Sequence, residues 1–411
     1  MKTFTPPLPF DAPPSFAGGR LPHRARLLEQ LLRHLHHGAL YLVYPNGASA
    51  RFGDDSHPVS LTLRDWRVLD AVFRAGDIGF VESYLEGQWE TDDLPRLLEL
   101  LARNRDAVES ALYGSRWGGL LYRLRHLLNR NSRSGSRRNV HAHYDIGNAF
   151  YQLWLDPSMT YSSALFDDRQ DASLEQAQQA KYRRALECLD LPPGARLLEI
   201  GCGWGGFAEL ALRETQAHVT GLTLSSEQLR FARQRLASAG LAQRADLRLQ
   251  DYRDIEGKFD AIASIEMLEA VGEAYWPSFF ERIAACLRPG GRACIQTIVI
   301  ADELFARYRK GSDFIQQYIF PGGMLPSPAA FRAQAARSGL PIVDEYRFGS
   351  DYALTLAAWR DAFQRHDAEV RAQGFDERFI RTWDFYLAYC EAGFRAGSVD
   401  VMQFTLVKPE R

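Results

Sequence analysis

The sequence predicts an α/β protein, a doubly wound, Rossmann-like parallel sheet behind a smaller α+β module. Three observations predict it. Apolar strand segments alternate with helical ones from Asn139 onward, a glycine turn in "LLEIGCGWGGFAEL" joins one such strand to a helix, and 411 residues are many for one domain. The balance of apolar and charged residues provides for a substantial core, and a net charge of −2 gives no global drive onto nucleic acid.

Taken in order, the Pro-rich start "MKTFTPPLPFDAPPS" interrupts the apolar run that a signal peptide needs. "RARLLEQLLRHLHHG" then brings Leu27, Leu28, Leu31, Leu32 and Leu35 to one helical face. "ALYLVYPNGASARF" reads as strand, turn, strand, because Asn46-Gly47 tolerates the positive φ of a tight hairpin. In "DDLPRLLELLARN" an aspartate cap precedes Pro95 in the first turn of a helix.

Between Glu109 and Asp145 there is no acidic residue, while Arg116, Arg123, Arg125, Arg130, Arg133, Arg137 and Arg138 all fall there. Within it "GGLLYRLRHLLNR" sets Leu120, Leu121, Leu124, Leu127 and Leu128 roughly opposite Arg123, His126 and Arg130. Such a basic amphipathic helix suits an anionic lipid surface and packing on its own domain equally well. "NSRSGSRRN" is a linker. The expected domains are therefore residues 1–130, a lipid-associating α+β module, and residues 139–411.

No run reaches the ~18 apolar residues of a spanning helix, so any membrane contact is peripheral. Five dispersed cysteines form neither a zinc pattern nor a disulfide framework. They fit a reducing cytoplasm, each as a small buried hydrophobe. No metal site is expected.

The second domain alternates: a helix around 173–189, a strand to Ile200, a helix from Gly205, the strand "HVTGLTL" and a helix from Ser226. The strands "DLRLQ" and "FDAIASI", a helix from Tyr275 to Cys286 and the strand "ACIQTIVI" follow. Gly201, Gly203 and Gly206 satisfy G-x-G-x-x-G, a spacing usually read as a dinucleotide site at the carboxyl end of a strand. Glu199 argues otherwise. Its carboxylate repels a pyrophosphate and suits an ammonium group such as that of S-adenosylmethionine. The next strand ends with Thr223 and Ser225 where an NAD site would carry an acid, which by itself favours neither cofactor.

From Asn139 to about Met402 the chain resembles the cyclopropane fatty acid synthases and related S-adenosylmethionine-dependent lipid methyltransferases. The stretches that carry the resemblance are "HYDIGNAFYQLWLDPSMTYSSALF", "LLEIGCGWGGFAEL", "VTGLTLSSEQ", "LQDYRD", "IEMLEAVG", "YIFPGGMLPS", "GSDYALTLAAW" and "FYLAYCEAGFR". It implies a class I methyltransferase sheet in which the methionine part of S-adenosylmethionine lies along Gly201 and Gly203, under Tyr161 and Ser162. Thr223 and Gln228 would reach the ribose, and Asp251 with Tyr252 would border the adenine.

The implied reaction adds a methyl or methylene to the double bond of an unsaturated acyl chain in a membrane phospholipid. It would run in an apolar pocket lined by Phe314, Ile315, Tyr318, Ile319 and Phe320, at the inner face of the cell membrane. A cationic intermediate requires such a pocket to be dry. Ring closure then needs a base, which in the family is a bicarbonate held by a Cys, a Glu, a His and a Tyr, beside an Ile backbone.

Glu269, Tyr352 and Ile298 match that set, whereas Ser163 stands at the Cys, Gln296 at the His, and Ala270 follows the Glu. Ser and Gln can hydrogen-bond bicarbonate, but neither titrates near neutrality. Two products are thus open, a cyclopropane made at an altered bicarbonate site and a methylated chain that keeps a double bond. An NAD-dependent oxidoreductase is a more distant reading, resting on the glycine spacing alone. A methyltransferase for a soluble molecule and a noncatalytic lipid carrier are others. Neither a nucleic-acid partner nor a fixed oligomeric state is implied, although a homodimer is compatible.

Overall fold

The computed structural model describes residues 21–54, 56–105, 146–167 and 171–410. The chain divides into two compact units, Met1–Gly118 and Gly119–Arg411. The cationic stretch, its amphipathic helix and the linker lie outside the described residues.

The first unit begins with α1 (His23–Leu32), shorter than its leucine pattern, with Leu35 still buried beyond its end. β1 (Ala39–Val43) and β2 (Ser49–Gly53) pair antiparallel around the Asn46-Gly47 turn, where Gly47 takes φ +82°. β3 (Val59–Leu63) lies parallel to β1. α2 (Arg67–Leu85) bends at Gly76, and β4 (Trp89–Glu90) closes a sheet of order β2-β1-β3-β4. α3 (Leu94–Arg103) begins as expected: the Asp93 carboxylate accepts from the Arg96 N–H, and Pro95 sits in the first turn, where its missing N–H is no loss.

The second unit opens with the single turn α4 (Asn148–Tyr151) and with α5 (Leu174–Leu189), started by a Ser173–Gln176 capping box. Then β5 (Arg196–Ile200), α6 (Gly206–Glu214), β6 (His218–Thr223), α7 (Ser226–Ser238), β7 (Ala245–Leu249), β8 (Phe259–Ile265), α8 (Trp276–Cys286) and β9 (Leu287–Ile300) alternate as the sequence predicts. α9 (Asp302–Tyr308), α10 (Pro328–Arg337), β10 (Ile342–Arg347), α11 (Gly349–Arg365), α12 (Asp367–Ala372), α13 (Glu377–Arg395) and β11 (Val399–Val407) complete it.

The sheet runs β10-β11-β9-β8-β5-β6-β7. Five strands are parallel, as expected of a doubly wound sheet, and β11 pairs antiparallel with β9 and β10 antiparallel with β11 at an edge that lies beyond the strands expected. The strand period of two sends Leu197 into one apolar layer and Leu198 into the other. Chain order reverses between β5 and β8, so the carboxyl ends of those strands flank the crevice where open α/β sheets bind ligands. Cys202, Cys286 and Cys294 are buried as expected, whereas Cys188 and Cys390 are only half-buried; all five are free thiols.

Candidate active site

At the end of β5 the chain turns through Gly201 at φ +87°, and the N–H groups of Gly201 and Cys202 both donate to the Leu222 carbonyl of β6, at 3.0 and 2.8 Å. A Cβ at Gly201 would stand 3.0 Å from the Met267 side chain, so the positive φ and the close approach both favour glycine. It opens into a cavity lined by all nine residues expected at the cofactor: Tyr161, Ser162, Glu199, Gly201, Gly203, Thr223, Gln228, Asp251 and Tyr252.

These residues fit S-adenosylmethionine. Glu199 is 3% exposed and its Oε2 has no hydrogen-bond partner. Burial pushes its pKa up to about 8, against the pull of the Lys181 charge. A cationic ligand is what such a carboxylate lacks. Thr223 Oγ1 donates to Gln228 Oε1 at 2.9 Å, which holds two polar side chains together where a ribose would lie. Asp251 already takes a forked contact from Arg253, at 2.9 and 2.6 Å, so it meets an adenine with its charge compensated.

Sequence reasoning missed Lys181. Wholly buried, its Nζ donates to Ser162 Oγ at 2.5 Å, and burial brings its pKa down to about 7 despite the charges of Glu266, Asp156 and Glu199. It is the shared cation of this end of the sheet. No spacing signal marks it, since it sits in α5, outside every motif around the glycine turn.

The five residues expected around a bicarbonate do not form one shell. Glu269 Oε1 accepts from the Ile298 N–H and from Thr297 Oγ1 at 2.9 Å, and its Oε2 has no partner. Ser163, Gln296 and Tyr352 converge instead on Glu266. The Ser163 N–H and Gln296 Nε2 donate to its Oε1 at 2.8 and 2.7 Å, and the Tyr352 hydroxyl donates to its Oε2 at 2.6 Å. The Ser163 hydroxyl, expected to face the anion, donates to the Ala164 carbonyl at 3.0 Å. A backbone N–H has taken its place because the side chain is fully buried beside that carbonyl.

Glu266 is partly exposed and lines the cofactor cavity. Desolvation raises its pKa, while Lys181, Tyr352, Ser163 and Gln296 draw it back. The signal was present in "IEMLEAVG", two carboxylates three apart directly after a strand, but only the second was assigned a role.

Phe314, Tyr318 and Phe320 do not line that cavity. Phe314 stacks on Tyr318 at 5.4 Å and meets Phe385 edge-on, while Phe320 meets Tyr386 edge-on at 6.2 Å. The Tyr386 hydroxyl shares a 2.7 Å hydrogen bond with that of Tyr161, which links this aromatic wall to the cofactor cavity. Trp154 and Trp359, each 5.4 Å from the Tyr161 ring, extend the apolar surround. Among the described residues no His, Cys, Asp or Glu cluster could hold a metal, and no helix is long and apolar enough to cross a membrane.

Comparisons with known proteins give one family. The family model described as mycolic acid cyclopropane synthetase matches residues 131–404. The tuberculostearic acid methyltransferase UfaA1 of Mycobacterium tuberculosis is 39% identical over 93% of this chain and 90% of its own length. The cyclopropane-fatty-acyl-phospholipid synthase of Escherichia coli is 34% identical over 85% of this chain and 87% of its own. The crystal structure of the mycolic acid cyclopropane synthase CmaA1 complexed with SAH and CTAB superposes with a TM-score of 0.62, at 34% identity, over 66% of this chain and 98% of that one.

Proposed function

The chain belongs to the mycolic acid cyclopropane synthetase family, and on that footing we propose that it closes cyclopropane rings on unsaturated acyl chains of membrane phospholipids. It is an S-adenosylmethionine-dependent methyltransferase of the class I fold. The observation that carries the reading is the Glu199 carboxylate, one oxygen unpartnered, at a glycine turn whose cavity also holds a second carboxylate, Glu266.

S-adenosylmethionine supplies an electrophilic methyl. The chain's own residues hold the donor at Glu199 and the Gly201 turn. Tyr161 offers the cavity an aromatic face, and Trp154 and Trp359 packed behind it keep water from a cationic acyl intermediate. Methylation with a retained double bond is the less favoured product, since the family model and the Escherichia coli relative are both named for cyclopropanes. The NAD-dependent oxidoreductase is set aside by family membership.

Arg116 to Arg138 support peripheral contact with an anionic membrane at the cytoplasmic face, each nearby arginine contributing about 1 kcal/mol and less at high salt. The test supplies anionic vesicles of unsaturated phospholipid and methyl-labelled S-adenosylmethionine, followed by mass spectrometry of the acyl chains. Labelled rings are expected. A labelled chain that keeps its double bond reverses the order of the two products, and label in no acyl chain overturns the reading.

A further inference from the structure

We propose that the Glu266 carboxylate is the general base of the reaction, filling with the chain's own oxygens the place that a bound bicarbonate would take. This rests on the transfer to an acyl double bond proposed above.

The three groups that the resemblance assigns to the anion, at Ser163, Gln296 and Tyr352, all donate to Glu266. With those donors turned to Glu266, a second anion there would meet a carboxylate that already holds them. Glu266 is held as an acceptor. Arg184 can only donate, and its Nη1 gives to Gln403 Oε1 at 2.7 Å. Gln403 Nε2 therefore faces Gln296 Oε1 at 3.0 Å, which turns the Gln296 amide N–H toward Glu266. A backbone N–H also only donates, so Glu266 Oε1 receives two hydrogen bonds whose direction cannot reverse.

Glu269 takes the opposite role. Its Oε1 is occupied by the Ile298 N–H and Thr297, its Oε2 is unpartnered, and burial together with the Glu266 charge pushes its pKa up to about 8. Burial raises both carboxyls, but the hydrogen bonds and the Lys181 charge draw Glu266 back, whereas the Glu266 charge adds to the rise at Glu269. The backbone adds a third sign: Glu266 sits at φ +50°, a region that side-chain-bearing residues rarely adopt and glycine enters freely. That strain aims the side chain into the cavity.

In the step assigned to it, the alkene π pair forms the carbon–carbon bond to the methyl as the sulfur–carbon bond breaks and its pair stays on sulfur. Glu266 then takes one proton from the transferred carbon, and the C–H pair left behind closes the third side of the ring. The carboxylic acid so formed returns its proton to water, which restores the base. No further reactant is needed.

The test compares wild type, Glu266→Gly and Glu266→Gln on anionic vesicles of unsaturated phospholipid, in buffer freed of carbon dioxide and in buffer with added bicarbonate. Wild type is expected to turn over equally in both. Glu266→Gly, which suits the backbone angle and opens space for an anion, should lose roughly 10²- to 10⁴-fold in kcat without bicarbonate and recover part of it with bicarbonate. Glu266→Gln should lose as much and recover nothing, because the amide still fills the position.

A readout independent of turnover is the unfolding midpoint of the cofactor-free protein, which bicarbonate should raise in Glu266→Gly and leave unchanged in wild type. Wild-type turnover that collapses without bicarbonate, or near-full turnover by Glu266→Gln, overturns the assignment while leaving the proposed function standing. Label in no wild-type acyl chain overturns both.

Discussion

Glu199 and Glu266 stand at the carboxyl ends of adjacent parallel strands, β5 and β8, and line the same cavity. Glu199 leaves one oxygen without a partner, whereas both oxygens of Glu266 are engaged, by three donors in all. The difference teaches what each is for. A desolvated carboxylate with an open oxygen is completed by a cationic ligand; one that three donors already hold is fixed as an acceptor before any ligand arrives.

Lys181 is the cation common to both, so removing it tests the contrast most severely. Lys181→Met should lower folding stability by about 3–5 kcal/mol, read as the denaturation midpoint, because it leaves Glu266 and Asp156 without their buried counter-charge. A variant as stable as wild type would mean that these carboxyls are held neutral, and the contrast in charge would fail.

Glu199→Gln should weaken S-adenosylmethionine binding by about 2 kcal/mol, roughly thirtyfold, in calorimetry. The pH dependence sharpens the point. In the empty site Glu199 keeps its proton up to about 8, and a cationic ligand prefers it ionised, so binding expels that proton. Affinity therefore rises with pH by at most about tenfold per unit until about 8 and then levels. Lys181, losing its own proton near 7, favours a cationic ligand in the same direction. The substitution should remove most of the slope, and a slope that persists in Glu199→Gln would place the titration elsewhere.

Tyr352→Phe is the mildest test, withdrawing the single donor to Glu266 Oε2. We expect kcat to fall by about 1 kcal/mol, roughly fivefold, with cofactor affinity unchanged. A fall in affinity instead would merge the two sites that the comparison separates.

The cofactor half of the site was legible in the sequence because it is local. Glu199, Gly201 and Gly203 span five residues, and the strand-turn-helix pattern around them fixes where they point. The antiparallel edge was less legible, since the half-buried alternation of β10 is short and β11 is a continuous buried run. The aromatic residues expected at the substrate stand outside the cofactor cavity, and Phe320 is joined to it through Tyr386 and Tyr161, residues far apart in the chain.

By itself the sequence determined the alternating architecture, the glycine bend and the acid that greets a cationic donor, because strand and helix periods and positive-φ turns are properties of neighbouring residues. Only the tertiary structure decided which carboxyl of "IEMLEAVG" Ser163, Gln296 and Tyr352 hold, through contacts spanning 103, 30 and 86 positions. The physical reason is the backbone at Glu266: a left-handed φ at the end of β8 turns this side chain to those donors and leaves Glu269 to the Ile298 N–H, a choice that no spacing of residues encodes.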